Sequence, residues 1–405
     1  MPSNYHNFRN SVPWLLIFLE AAFIILFYFF SDGGASSPRI SYPGFQLVNR
    51  LLIFGFGFFL VFLKRYSFSS TGFNLLIIVL GVQCSILIEA LADLLLQRRE
   101  KNALESIAEA TVSMTAVVIS SGAVLGKTNP MQLIVMTIVE IIVFHASRWI
   151  NIMFLKLSPE MSMMHVHLFG AYFGLAVSSR FSEPSPMSEK NASTPKSDLL
   201  SLLGTLFLWV FWPSFNSVLL PRSFAAICNT YFALAVSAVT AFALSGLMAK
   251  DGKFRMTHVH SAALAGGVTI GYAADKINHP WIAMILGLLA SVISILGSGF
   301  VQSCLKPPLK IHDASGVHFT FGLPALLGAL ARVVFLVIEG WTHLSSLGYT
   351  IMFTIGAVCL TISIALITGF ITGLILNFRL LKPTPVSKYF EDQFYWEFPH
   401  LAVGF

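Results

Sequence analysis

Met161-Ser-Met-Met-His165-Val-His167-Leu-Phe-Gly170-Ala-Tyr-Phe-Gly174-Leu175 is an apolar stretch that carries two histidines and two glycines. Side chains two residues apart stand about 200° apart around a helix, so His165 and His167 point to nearly opposite faces. One ring at most lines a given path. Gly170 and Gly174 are four apart, share a face, and let a second helix approach closely. The stretch therefore reads as a membrane helix with a tight packing face and one polar ring to place. Two readings stand for that ring. One is a histidine hydrogen-bonded within a helix bundle. The other is a pathway imidazole, since ionisable groups at membrane depth usually mark a route.

Working outward, the chain has 405 residues, of which 56% are hydrophobic and 11% charged. A soluble domain carries roughly 25% charged residues, so this is an all-α polytopic membrane protein. Twelve apolar spans of roughly 20 residues fit the bilayer's hydrocarbon thickness. They run over 12–30, 44–63, 73–96, 104–125, 130–150, 161–180, 199–219, 225–248, 257–275, 280–300, 316–338 and 350–378. No alternating ten-residue pattern suggests barrel strands. The first span contains Glu20 and lacks a small-residue cleavage site, so it reads as a membrane helix and not a leader. His145 and Arg148 blur the end of the fifth.

Four parts follow: 1–180 as a first half of six spans, 181–198 as a polar linker, 199–378 as a second half, and 379–405 as a tail. With the N-terminus inside, the inner loops hold more Lys and Arg, including Lys64, Arg65, Lys253, Arg255 and Lys382. Both termini are then cytoplasmic. The net charge of +6 reflects that topology and calls for no nucleic acid. The linker's Asn191-Ala192-Ser193 would stay unglycosylated on the inner side. The two halves suggest an inverted repeat with its site near the midplane. Phe169-Gly170 and Phe321-Gly322 occupy comparable places in the sixth and eleventh spans.

No Walker loop, Gly-X-Ser-X-Gly, His-Glu-X-X-His or Cys-X-X-Cys is present. The reading is therefore not an enzyme, with no metal and no cofactor. Cys84, Cys228 and Cys359 fall within spans. Cys304 lies just beyond one among lysines, a place that suits reversible acylation or an unmodified thiol. Glu89, Asp93 and Glu109 lie toward span ends, where solvation suffices. Glu140 is mid-span and expected to make structural hydrogen bonds. In Trp209-Val-Phe-Trp212-Pro213-Ser-Phe215-Asn216, Pro213 should loosen the helix, and Trp212 and Phe215 either close a narrow path or pack against lipid. Gly322 and Pro324 soften the eleventh span in the same way.

At these residues the sequence resembles the ammonium transporter superfamily, and within it the Rh branch. His167-Leu-Phe-Gly-Ala-Tyr-Phe-Gly, Gly122-Ala-Val-Leu-Gly-Lys127, Trp212-Pro-Ser-Phe-Asn216 and Leu264-Ala-Gly-Gly-Val268 carry the likeness in order and spacing. The tail, Lys388-Tyr-Phe-Glu-Asp-Gln and Phe398-Pro-His-Leu-Ala-Val-Gly-Phe405, is similar to that of the non-glycosylated Rh blood-group subgroup of D/CE type. The resemblance implies a trimer in the erythrocyte plasma membrane, assembly with the Rh-associated glycoprotein in a heterotrimer or homotrimer, and a link to the ankyrin-based skeleton. In conducting members two histidines face each other in the pore. By this resemblance the first corresponds to His167 and the second to Phe321. Of two gating phenylalanines, one corresponds to Ser121 and the other to Phe215. The family's aspartate falls on Pro159, beside Glu160. A structural subunit and a channel for ammonia or carbon dioxide are the two functions this leaves.

Overall fold

Every apolar span becomes helix because lipid offers no partner to backbone N–H and C=O groups. The computed structural model describes residues 8–30, 40–95, 102–184, 189–220, 223–249, 251–298, 311–340 and 344–398. Cys304 and the last seven residues of the tail lie outside the described residues. The helices are α1 Phe8–Phe30, α2 Tyr42–Arg50, α3 Gly57–Phe59, α4 Ser67–Leu95, α5 Ala103–Ala123, α6 Pro130–Met153 and α7 Pro159–Met164. They continue as α8 Val166–Ser178, α9 Pro195–Ser217, α10 Ser223–Met248, α11 Met256–Ile270, α12 Pro280–Leu296, α13 Leu323–Gly340 and α14 Leu344–Leu376. No strand occurs among the described residues.

The twelve spans map onto these helices in order. Among the described residues, eight of the spans, the eleventh with its opening turn at His318 included, are long and apolar enough to cross a membrane. The other four spans are the ones the fold interrupts or shortens. The second is α2 and α3 joined by a π-helical turn, Leu51–Phe56. The sixth breaks at His165, between α7 and α8. The ninth and tenth, α11 and α12, have 15 and 17 residues. The eleventh opens with a second π turn, His318–Gly322, ahead of α13. Pro324 explains its place: a proline ring crowds the carbonyl four residues back, and the wider π turn relieves that clash.

Starts are written in the local sequence. Asn129 and Gln132 cap α6 reciprocally, and Thr194 and Ser197 do the same for α9. Such boxes satisfy two orphan donors at once. Two expectations are corrected. Helix α6 runs unbroken through His145 and Arg148 to Met153. Helix α9 runs unbroken through Pro213.

Close approaches set how the helices pack. Gly170 lies against the backbone of Ala116, and Gly174 against that of Ser120, so α8 and α5 run side by side in one direction. Gly204 lies against the backbone of Phe58 and Phe59, which brings α9 onto the second span. The loops around 60–66, 124–129, 179–184, 189–194 and 311–316 gather with the tail at one end. There Asp392 accepts hydrogen bonds from the backbone N–H groups of Phe68 and Ser69, at 2.9 and 2.8 Å, and so caps α4. Trp396 donates its indole N–H to Ser69 at 3.0 Å. Lys190 of the linker pairs with Glu391 of the tail at 2.5 Å.

At the far end, Glu89 is not a solvated terminal acid. Its carboxylate pairs with Arg148 at 3.1 Å and approaches His145 at 3.6 Å. His145 reaches Ser85 at 2.7 Å through its other nitrogen. Mid-span Glu140 accepts a short hydrogen bond from the Ser120 hydroxyl.

Candidate functional site

The elements that meet at mid-bundle bring a box of rings around His167. The break at His165 restarts the helix just before His167, and α8 then aims that ring inward. Its centroid lies 5.6 Å from Trp212, 5.6 Å from Phe215 and 6.3 Å from Phe321. Trp212 and Phe215 come from α9, one turn apart. Phe321 comes from the π turn, and Phe56 of the second span stands 5.9 Å beyond it. His167, Trp212, Phe215 and Phe321 are all essentially fully buried.

Neighbouring residues explain how bulky rings fit there. A side chain at Gly267 would collide with the Trp212 indole, its Cβ falling 2.8 Å from Trp212 Cδ1. The small-residue run of α11 thus makes room for the tryptophan. Asn216 pins the motif by donating from Nδ2 to the Gly267 carbonyl at 2.9 Å and the Thr230 hydroxyl at 3.1 Å.

Neither ring nitrogen of His167 has a hydrogen-bond partner, and the Trp212 indole N–H has none either. Each such buried group left without a partner is costly. The partner a relay would need is missing on the side of Phe321, whose ring offers neither donor nor acceptor. Among the described residues no group of three or more His, Cys, Asp or Glu side chains is placed to hold a metal.

His165 stands apart, as its angle on the helix requires. Its Nδ1 meets the Thr361 hydroxyl at 2.9 Å, and Asn151 donates to the same hydroxyl at 3.0 Å. Gly322 sits in the π turn, beside Ala171 and Tyr172. Pro324 offers its carbonyl to Thr269 at 2.8 Å. Pro159 opens α7 with Glu160 next to it.

Ser121 is not part of the ring box. It lies one residue past Ser120, which packs on Gly174, while Ser113 meets Met163 near the level of His167. Eight residues of helix separate the two levels, about 12 Å. Ser121 instead lines a separate cavity of about 20 Å³ with Tyr66, Asn74 and Leu125, and its hydroxyl bonds its own helix at Val118. The resemblance puts it at a gate position in the pathway, whereas its height along α5 removes it.

Sequence reasoning missed Phe56 and Phe59, and it reads His260, at the start of its span, as interfacial where the fold buries it. The phenylalanine run over 54–59 resembles lipid-facing sequence, and only the glycines within it hint at close packing. Phe59 stacks on His260 at 3.7 Å. His260 in turn lies 2.6 Å from Ser201 and 3.0 Å from the Phe59 carbonyl.

Below the box, Lys127 is wholly buried in the loop between α5 and α6. It donates to the Ser178 hydroxyl at 2.7 Å and to the His312 carbonyl at 2.8 Å. Burial lowers its pKa to about 7, with Asp313 and Glu183 pulling the other way. The unfolded chain keeps that proton to about pH 10.4. Between the two values the unfolded state binds more protons, so stability rises with pH, and below the lower value the dependence is spent. Unfolding in detergent is expected at a higher temperature at about pH 9.5 than at about pH 7, and Lys127→Met should flatten the rise. An unchanged slope in that variant would assign the dependence elsewhere.

The profile of the Ammonium Transporter Family matches residues 14–392. An RH-like protein of Macaca mulatta is 42% identical over 417 residues, covering all of both chains. The blood group Rh(CE) polypeptide of Homo sapiens is 41% identical over 419 residues, again covering both chains fully. Among solved structures, Rh50 of Nitrosomonas europaea, described with the conduction mechanism of Rhesus channels, superposes with a TM-score of 0.75. It is 29% identical and covers 89% of this chain and 93% of its own. A sensor Amt protein at 18% identity shares the fold, with a TM-score of 0.69 over 85% of this chain and 94% of its own.

Proposed function

Since the chain belongs to the ammonium transporter family, with Rh blood-group polypeptides among its full-length relatives, we propose that it serves as a structural Rh subunit. In this reading it completes a trimer with the Rh-associated glycoprotein in the erythrocyte plasma membrane. Both termini face the cytoplasm, where the complex connects to the ankyrin-based skeleton. The two membrane halves, 1–180 and 199–378, enclose a path that conducts little.

One observation carries the proposal: Phe321 faces His167 across 6.3 Å where a relay would need a second polar ring. A lone imidazole among Trp212, Phe215 and Phe321 has nothing to exchange a proton with. The second reading is a channel for neutral ammonia or carbon dioxide. It is favoured by the two unpartnered nitrogens of His167, which a small polar molecule would satisfy in passing.

Stopped-flow pH measurement in vesicles holding the purified chain alone separates the two. The structural reading expects flux no faster than bare lipid from folded, trimeric protein. Phe321→His is expected to leave it there, because Trp212, Phe56 and Phe59 still crowd that position. Flux above bare lipid that disappears in His167→Ala would establish the channel and sink the structural role.

A further inference from the structure

Glu20 lies midway along the first apolar window, Ser11–Phe30. It does not point into the bundle. Helix α1 packs inward through Val12 and Phe23, both buried. Glu20 lies on the outer side, where Ile17 and Ile24 are 59% and 63% exposed. Its carboxyl accepts a hydrogen bond from Gln83 Nε2 of α4 at 3.2 Å. Gln83 also donates to its own helix at Val79, and it too lies near the middle of its span.

An acid and an amide thus sit together at mid-membrane, on the outside of the protein, in a shallow groove between α1 and α4. Hydrocarbon supplies no hydrogen bonds at that depth. Acids inside membranes are rare and ordinarily face protein partners or water. The bundle's other mid-span acid, Glu140, is fully buried.

We propose that this groove binds a membrane helix of another protein carrying a lysine or arginine near its middle. The apolar flanks at Ile17, Ile24 and Val79 suit a helix face, and the Glu20 carboxyl supplies the complement to a basic donor. Lipid does not meet the need, because headgroups lie about 15 Å away at the edge of the hydrocarbon. A second copy of this chain brings no basic donor to the patch, because a two-fold contact through it offers Glu20 only Gln83 or a second Glu20.

The test uses the full-length chain, fluorescently labelled, in phosphatidylcholine vesicles. Energy transfer is measured to two synthetic membrane-spanning polyleucine helices, one with a central lysine and one without. The lysine helix is expected to associate about tenfold more tightly, as one or two interhelical hydrogen bonds allow. Glu20→Leu should erase that difference. Ile17→Trp, which fills the groove and leaves the carboxyl in place, should erase it as well. Matched thermal unfolding would show that both variants fold. Equal association of the two helices overturns the proposal, as does a preference that survives Glu20→Leu. Concentration-dependent self-association of the chain that Glu20→Leu abolishes, with no lysine preference, overturns it in favour of a second copy.

Discussion

Purified Gly170→Leu protein is expected to fail to form the bundle, giving aggregated or polydisperse material in detergent. Adding volume to a packed interior typically costs about 1–3 kcal/mol. Here the cost should exceed that range, because the obstacle is backbone. A Cβ at Gly170 lies 2.8 Å from the Ala116 Cα and nearer still to the Ala116 carbonyl oxygen. No rotamer change moves those atoms aside, so α8 must leave α5, and His167 leaves the ring box with it. Gly170→Ala should show a smaller loss of the same kind. Gly356 provides the contrast, since a Cβ there meets only the Leu155 side chain at 3.7 Å. Gly356→Ala should be neutral or slightly stabilising. Wild-type unfolding temperature in Gly170→Leu would disprove the close approach.

Glu89→Leu carries the second large effect. Arg148 would lose the carboxylate at 3.1 Å that balances its charge in a site where its side chain is only 10% exposed. Its remaining partner there is the Ser162 hydroxyl at 3.5 Å. Breaking a buried pair from one side costs about 3–5 kcal/mol, while replacing both members with apolar residues is often close to neutral. The single variant should therefore unfold at markedly lower temperature, and Glu89→Leu combined with Arg148→Met should recover most of the loss. A double variant no more stable than the single would show that the charge pair is not what holds α4 to α6.

Much of the molecule was legible from composition and local pattern. Apolar length fixes a span because the bilayer's thickness is fixed, and all twelve became helix. Asn129 with Gln132, and Thr194 with Ser197, announced their helix starts through short-range bonds within one turn. The angle between His165 and His167 follows from helix geometry alone, and their separate surroundings agree with it. The resemblance sets Phe321 where conducting members carry a second histidine, and the fold places that ring 6.3 Å from His167.

Height and partnership were not legible. Ser121 fell in the pathway by its place in a motif, yet it sits about two turns of helix from the level of His167. A motif records order along one chain, while a pathway is a level shared by several helices. Glu89 looked like a terminal acid because its partner, Arg148, stands 59 residues away on another span. Pro213 reads as a loosening of its helix, yet α9 continues as helix from Pro195 to Ser217 around it.

The sequence by itself determined the class of the protein and its spans, because bilayer thickness and helical periodicity act within a single segment. Only the tertiary structure decided which rings enclose His167, which acid answers Arg148, and that Glu20 faces outward. Those depend on how each helix is rotated and how far it slides against its neighbours. That choice is made by contacts such as Gly170 on Ala116 and Gly204 on Phe59, between residues remote in the chain.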